Sequence, residues 1–505
     1  MSCVIGIDGG TESIRVHIFA LDGTCLGSAA APYPTHYPQP GWAEQSPSDW
    51  WAALGVAMHA ALDAAAIPPD SVLALSLATT SCTLAMLDEQ GEALAPALLW
   101  MDIRAAEAAE RVRDARDALP ETRRNRHGPV SAEWMLPKVL WLKEHAPDLY
   151  RRSVTICEYQ DWMVLRLTGR LVGSVNTASI RWHYDTEIGG VPHDLLSALD
   201  LDDLAEKWPS EVLRPGEVVG TLTPKAAAHL GLPAGVKVVQ GGADAFIGMI
   251  GAGVHQPGQV ALISGSSHLQ LAVSATRRNI PGLWGSYADG VYPARHIVEG
   301  GQSSSGSMIA WLARLIGRSE DLQRLNEEAE TLPPGSDGLM ILDHFQGGRS
   351  PRTDATSRGA IVGLSLAHTQ AHLFRAAIEA VCLGTVAVLE TMRAHGLPVR
   401  DMTIVGGATR SPLWLQIHAD TSGLPLHVPS VTDGPGIGAA ILAACGAGCF
   451  PDLDAGIASM VRIARTIEPD VGRHQIYRNL FADYFSLYPA LSAWSAERQS
   501  AGQDQ

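Results

Sequence analysis

Apolar residues come in short blocks near the N-terminus. VIGID (residues 4–8) and SIRVHIF (13–19) have strand composition, and the GGTE between them is long enough only for a hairpin turn. SVLALSLATTSCTLAMLD (71–88) repeats the pattern and predicts a second hairpin ahead of the turn at Gly91. From Ser46, SPSDWWAALGVAMHAALDAA sets apolar residues at helical spacing behind a serine in the N-cap position. The second half starts the series again. KVVQGGADAFIGMIGAG (237–253) leads to QVALISGSSHLQLAV (259–273), which reads as strand, Gly-Ser turn, strand. DMTIVGGATRSPLWLQIHADTSG (401–423) reads as strand, glycine turn and helix, and DGPGIGAAILAACGAG (433–448) as a helix opened by glycines. Hairpins alternating with helices predict an α/β fold with mixed sheets, not the strictly parallel series of a dinucleotide fold. One strand-turn-strand unit per half predicts two similar lobes around a central cleft. We place them at residues 1–248 and 249–494, with GMIGAG supplying hinge glycines and residues 495–505 forming a polar tail without fixed structure.

Length agrees with this division, because 505 residues exceed what one hydrophobic core usually supports. A formal net charge of −16 argues against a nucleic-acid partner, which needs a basic surface to displace counterions. An anionic ligand would have to be held by local dipoles or by a metal ion. The cysteines, at 3, 25, 82, 157, 382, 445 and 449, form no CxxC pair, and AACGAGC around Cys445 and Cys449 reads as helix packing. No basic leader precedes VIGID, and no uninterrupted apolar run approaches the ~20 residues of a membrane span. The expectation is a cytoplasmic protein without a membrane partner.

The turns carry the candidate chemistry. Gly9-Gly10-Thr11 can aim successive amides at one point, and Asp8, at the end of the preceding strand, faces the same point. An acid beside an anion cradle makes sense if Mg²⁺ lies between them, although a D-G-G turn can also be a plain hairpin. Gly265-Ser266-Ser267 repeats the device in the second half, and Gly406-Gly407-Ala408 offers a third turn where a flat base or ribose could approach the backbone. Asp244, between the two cradles in sequence, is the candidate general base and equally a candidate helix N-cap. Asp8 and Asp244 are the candidate metal-side acids.

In order and spacing these motifs resemble the FGGY family of carbohydrate kinases, within the fold superfamily of sugar kinases, heat-shock chaperone ATPase domains and actin, whose two lobes are ribonuclease-H-like. The resemblance runs from GIDGGTESIR through GWAEQSPSDWW, LLWMDIR, LRLTG, GGADAFIGMIGAG, ISGSSH and FQGGRSPRTDATSRGAIVGL to LFRAAIEAVCLGT, GGATRSPLWLQIHADTSGLPL, GIGAAILAA and YRNLFADYFSLY. It implies ATP and Mg²⁺, with transfer of the γ-phosphoryl group to a sugar or polyol hydroxyl. It implies nucleotide-side roles for Gly9, Gly10, Thr11, Glu12 and Arg15, for Gly265, Ser266 and Ser267 as the second phosphate loop, and for Gly406, Gly407 and Ala408 as the adenosine motif. Ser266 departs mildly from the family's usual Gly-Thr-Ser. Asp8 matches the metal-side aspartate and Asp244 the catalytic base. A homodimer is the assembly considered.

Substrate choice narrows through the sugar-facing motifs. The glycerol kinase branch has Gln-Arg-Glu-Thr where this chain has Thr80-Ser81-Cys82-Thr83, so the glycerol clamp is missing; the Gly-Gln-Met-His-Gly segment usual in the xylulokinase branch is absent too. TTSCT, SAEWMLPK and VEGGQSSSG resemble the ribulokinase branch, in which a glutamate matching Glu299 binds sugar. Thr80, Cys82, Trp100, Asp102, Arg104, Lys138, Asp161, Asp244 and Glu299 are therefore the candidate substrate contacts, for a pentulose such as D- or L-ribulose. Xylulose and polyols such as ribitol or erythritol are the alternatives, and so is a nucleotide or sugar sensor of the same fold without turnover.

Overall fold

The computed structural model describes residues 2–119, 130–354 and 356–502. Two mixed sheets organise it. The first has the order Val218–Thr221, Lys237–Ala243, Val72–Thr79, Cys3–Gly9, Ser13–Ala20, Cys25–Pro32. The second has the order Gly285–Ala288, His296–Gln302, His268–Ser274, Gln259–Ser264, Asp401–Gly406, Leu426–Pro429, Ile463–Ile467. Each sheet can be read outward from its central strand, Cys3–Gly9 or Gln259–Ser264. On one side both have two antiparallel strands; on the other, both have two parallel strands and then an antiparallel one. The second sheet adds Gly285–Ala288 at its edge. The repeated topology bears out the expectation of two similar α/β lobes.

Alternation along the strands explains the cores. Ile5, Ile7, Ile14, Val16, Leu75 and Leu77 pack under the helix Pro47–Ala65 through Trp50, Leu54 and Met58. In the second lobe Val260, Leu262, Met402 and Ile404 pack with the helix Gln370–Ala394. That helix is long and apolar enough to cross a membrane, but 94% of its most apolar stretch is buried inside the lobe. A third cluster joins the lobes: Val4, Phe19 and Val239 meet Phe246, Ile247 and Ile250 of the helix Asp244–Gly251, and Ile437 and Ile441 of the helix Gly434–Ala447.

Glycine makes that junction possible. A Cβ added to Gly6 would overlap the carbonyl oxygen of Gly436, one added to Gly251 the carbonyl of Gly434, and one added to Gly438 the carbonyl of Ile247. Strand and crossing helices therefore touch backbone to backbone. Of the glycines in GMIGAG, Gly248 faces Pro435 and Gly251 faces Gly434.

Two further expectations need correcting. Residues 71–88 do not form a hairpin: Cys82 takes a left-handed conformation (φ 62°), and Leu84–Leu87 leaves to pair with Ala97–Leu98 and Thr155–Glu158 in a separate four-stranded sheet. The tail is not structureless along its length either, since the last helix runs Val471–Gly502. Residues 503–505, and Ala355 of the FQGGRSPRTDATSRGAIVGL motif, lie outside the described residues. Ser46 does precede the first helix, but its hydroxyl bonds Ser48 at 2.8 Å and caps no backbone amide.

The junction gives a stability prediction. Gly6→Ala must push strand and helix apart and should lower the unfolding free energy by at least ~1–3 kcal/mol, the usual cost of overpacking. Gly235→Ala, with open space around the added carbon, should stay within about 0.5 kcal/mol. Urea melts of both variants check this, and equal losses would remove the packing account.

Candidate active site

Three neighbouring parallel strands of the first sheet end at the same place. Register sets Gly9 against Thr79 and Thr79 against Ala243, so Asp8, Thr80 and Asp244 converge at the carboxyl ends of their strands, where ligands of open α/β sheets bind. The Thr80 amide donates to the Gly9 carbonyl at 2.9 Å. Asp244 is the first residue of the crossing helix and not its N-cap, which is Ala243; its Oδ1 accepts from the Ala245 amide at 2.7 Å.

Charge at this convergence is acidic and poorly compensated. Asp8, 3% exposed, pairs across the hairpin with Arg15, whose Nη1 lies 2.8 Å from its Oδ2. Burial, then repulsion from Asp433 and Asp244, pushes the Asp8 carboxyl above the ordinary carboxylate range despite Arg15 and His17. Burial lifts Asp244 to about 6, partly offset by the Ala245 amide and by Arg15. Asp433 arrives from the other half of the chain. It caps the helix Gly434–Ala447 through the Gly436 amide at 3.1 Å, and its Oδ2 stands 3.2 Å from His17 Nε2 and 3.9 Å from Arg15 Nη1. Burial works against the imidazolium of His17, yet Asp433, with a further contribution from Cys25, more than reverses it and holds the ring at about 9.

The first turn is fastened from behind. Tyr33 Oη donates to the Gly10 carbonyl, Gln45 Nε2 to the Thr11 carbonyl at 2.6 Å, and Trp100 Nε1 to Thr11 Oγ1 at 3.0 Å. Glu12 stays exposed beyond it. In the second lobe Gly265, Ser266 and Ser267 form the hairpin turn, closed by Gly265 N–H on the Ser267 carbonyl at 3.0 Å. The Ser266 carbonyl accepts from the amides of Ser305 and Ser307 at 3.0 and 3.1 Å. Ser264 stands opposite Gly406 in register, and its hydroxyl accepts from the Ala408 amide at 3.3 Å. Gly406 has φ 96°, and a Cβ there would overlap the Ser264 carbonyl, so glycine is required. The second turn and Gly406-Gly407-Ala408 thus lie on adjacent strand ends.

Glu299 is fully buried on the strand His296–Gln302. Arg181 holds it through both oxygens, at 2.8 and 3.0 Å, and Tyr287 Oη donates at 2.5 Å. Burial alone would raise its pKa; Arg181 reverses this and keeps the carboxyl below the ordinary range. Arg181 belongs to the first half of the chain, so this buried ion pair joins the two halves. The rings of Trp284 and Trp134 lie 5.1 and 5.5 Å from its guanidinium. Arg349 stacks over Trp284 at 4.2 Å and reaches Glu133 at 3.7 Å.

Other candidate sugar contacts have partners within the scaffold. Asp102 accepts from the Ala43 amide at 2.7 Å and from Arg104, which also bonds Glu44 and stacks over Trp42 at 3.6 Å. Asp161 closes a capping box by accepting from the Glu158 amide at 3.0 Å. Lys138 donates to the carbonyls of Cys82, at 2.7 Å, and Leu99. Sequence reasoning singled out neither Asp433 nor His17, nor Arg181, Trp134, Trp284 and Arg349. Asp433 carried a signal, as an acid opening a glycine-led helix. For the others only the pairing of distant segments reveals the cluster.

Two lobes of repeated topology, each with a glycine- or serine-rich hairpin turn beside its central strand, define the sugar kinase, heat-shock chaperone and actin class of fold. Within it, the N-terminal domain model of the FGGY family of carbohydrate kinases matches residues 3–251 and the C-terminal domain model residues 260–447. The chain belongs to the FGGY family of carbohydrate kinases, and its class of activity is phosphoryl transfer to a sugar. It is 31% identical to the FGGY carbohydrate kinase domain-containing protein of Danio rerio, over 96% of this chain and 97% of that protein. It is 30% identical to the ribulokinase of Shouchella clausii, over 96% and 94%. The crystal structure of xylulose kinase from Rhodospirillum rubrum superposes with a TM-score of 0.84 at 29% identity, covering 97% of this chain and 99% of that one.

The acid cluster makes a spectroscopic prediction. Asp433→Asn removes the charge that sustains the His17 imidazolium and leaves burial opposed far less. In an NMR titration the ring, at about 9 in the native protein, should then titrate at about 6.5, the ordinary imidazole value, or below. An unchanged His17 would show that Asp433 does not pair with it.

Proposed function

We propose that this chain is a pentulose kinase that transfers the γ-phosphoryl group of ATP to a hydroxyl of a five-carbon ketose such as D- or L-ribulose. Asp244 takes the hydroxyl proton as the oxygen forms its bond to phosphorus, and the bond to the bridging oxygen breaks to release ADP. The observation that carries the reading is the convergence of Asp244, Asp8 and Arg15 at one set of strand ends. Gly9, Gly10 and Thr11 receive phosphate oxygens from one lobe, Gly265, Ser266 and Ser267 from the other, and Gly406, Gly407 and Ala408 flank the adenosine. Asp8 and Asp244, buried acids that share the charge of Arg15, have the donor chemistry for a hydrated Mg²⁺ ion, which would neutralise phosphate charge. The sugar lies toward Glu299, Arg181 and Trp134, with an aromatic wall for its C–H face and charged groups for its hydroxyls. Ribulose is favoured by the likeness to a ribulokinase and by the missing glycerol clamp at Ser81 and Cys82. Residues 1–248 and 249–494 are the proposed lobes. A reducing cytoplasm, in keeping with seven free thiols, and a homodimer complete the reading.

Asp244→Asn keeps the shape and removes the base, so kcat should fall by roughly 10²–10⁴-fold while ATP still binds. A base works only as the carboxylate. With Asp244 at about 6, kcat/KM for the sugar should be level above that pH and decline as pH falls through it. A variant with near-native kcat would reassign the base.

A coupled ADP assay on D-ribulose, L-ribulose, D-xylulose, ribitol, erythritol and glycerol should give the highest kcat/KM for one of the ribuloses. A polyol or glycerol in first place would sink the pentulose reading. Tight ATP binding without turnover on any acceptor would favour a sensor.

A further inference from the structure

Cys82 sits in an unusual state: buried, not glycine, and left-handed at φ 62°. L-residues seldom adopt this conformation unless their surroundings impose it. Here the imposing groups are two buried polar side chains. Glu158 accepts from the Cys82 amide at 3.3 Å and from the Thr83 amide at 3.2 Å, while the Lys138 ammonium takes the Cys82 carbonyl at 2.7 Å and that of Leu99. Each is nearly inaccessible, Glu158 1% exposed and Lys138 0%. Glu158 is fixed in turn by Trp182 Nε1 at 3.2 Å and by its place at the start of the helix Tyr159–Thr168. Buried polar groups must find partners, and these two grip opposite peptide groups of one residue.

We propose that Glu158 and Lys138 are positioning residues for the sugar side of the cleft, holding Cys82 left-handed and so fixing the Thr80–Thr83 turn. The inference rests on the carbohydrate-kinase reading given above. The turn begins at the strand end beside Gly9 and Asp244, and Cys82 packs in the cluster of Trp134, Trp182 and Trp284 that surrounds Arg181. A turn free to relax to ordinary φ would carry Thr80 and the Cys82 side chain away from that wall. Lys138 then acts through the backbone of Cys82 and not as a sugar ligand.

Glycine provides the test, because it can take φ near +60° without the steric penalty that a side chain pays there. In Glu158→Gln, KM for whichever acceptor the wild-type enzyme uses best should rise about five- to tenfold while KM for ATP moves less than about twofold. Adding Cys82→Gly should recover at least about threefold of that loss. Using the preferred acceptor keeps this result separate from the identity of the sugar. A double-mutant cycle on Tm, which needs no turnover, gives an independent reading: Cys82→Gly should raise Tm more in the Glu158→Gln or Lys138→Met background than in wild type. The inference is overturned if Glu158→Gln leaves acceptor KM unchanged, if both KM values rise together, if glycine recovers nothing, or if the Tm cycle shows no coupling.

Discussion

Everything at the cleft depends on how closely two helices and one strand approach. Gly6 lies against the carbonyl of Gly436, Gly251 against that of Gly434, and Gly438 against that of Ile247, so at these crossings peptide group meets peptide group within the apolar cluster that joins the lobes. The consequence is chemical as well as steric. Asp244 opens one of these helices and Asp433 caps the other, so the same contact that joins the lobes brings Asp433 to Arg15 and His17 and sets Asp244 within the influence of the Arg15 charge. A methyl group at the crossing would alter both the packing and the spacing of the charges.

Much of this was legible in the sequence, because the signals were local. The hairpins at residues 3–20 and 259–274, the glycine turn at 406 and the helix opened at 434 each follow from a few neighbouring residues. So does the placing of Asp8 beside the turn, one residue before the strand ends at Gly9. What failed was register between distant segments. The strand 84–87 is apolar throughout and would suit a hairpin partner, but it pairs with 97–98 and 155–158, and nothing local announces that preference.

The sugar side was less readable for a related reason. Asp102, Arg104, Asp161 and Lys138 are polar residues in apolar surroundings, which suggests ligand contacts, yet each is bonded to backbone or scaffold charges. Buried polar groups must find partners, and most find them in the protein. Glu299 differs because its partner Arg181 comes from the opposite lobe, ringed by tryptophans from both halves of the chain. An ion pair between lobes is invisible to any reading that treats each half separately.

The two phosphate-facing turns are secured by unlike means. The second is tied to Ser305 and Ser307, a short segment of its own lobe. The first is tied to Tyr33, Gln45 and Trp100, which come from three separate stretches of chain. In the language of hydrogen exchange, the second turn can open as a small local unit, whereas loosening the first requires several parts of its lobe to let go together. One side of the cleft is thus built to yield in small fluctuations, and the other shares the cooperative stability of the lobe that carries it.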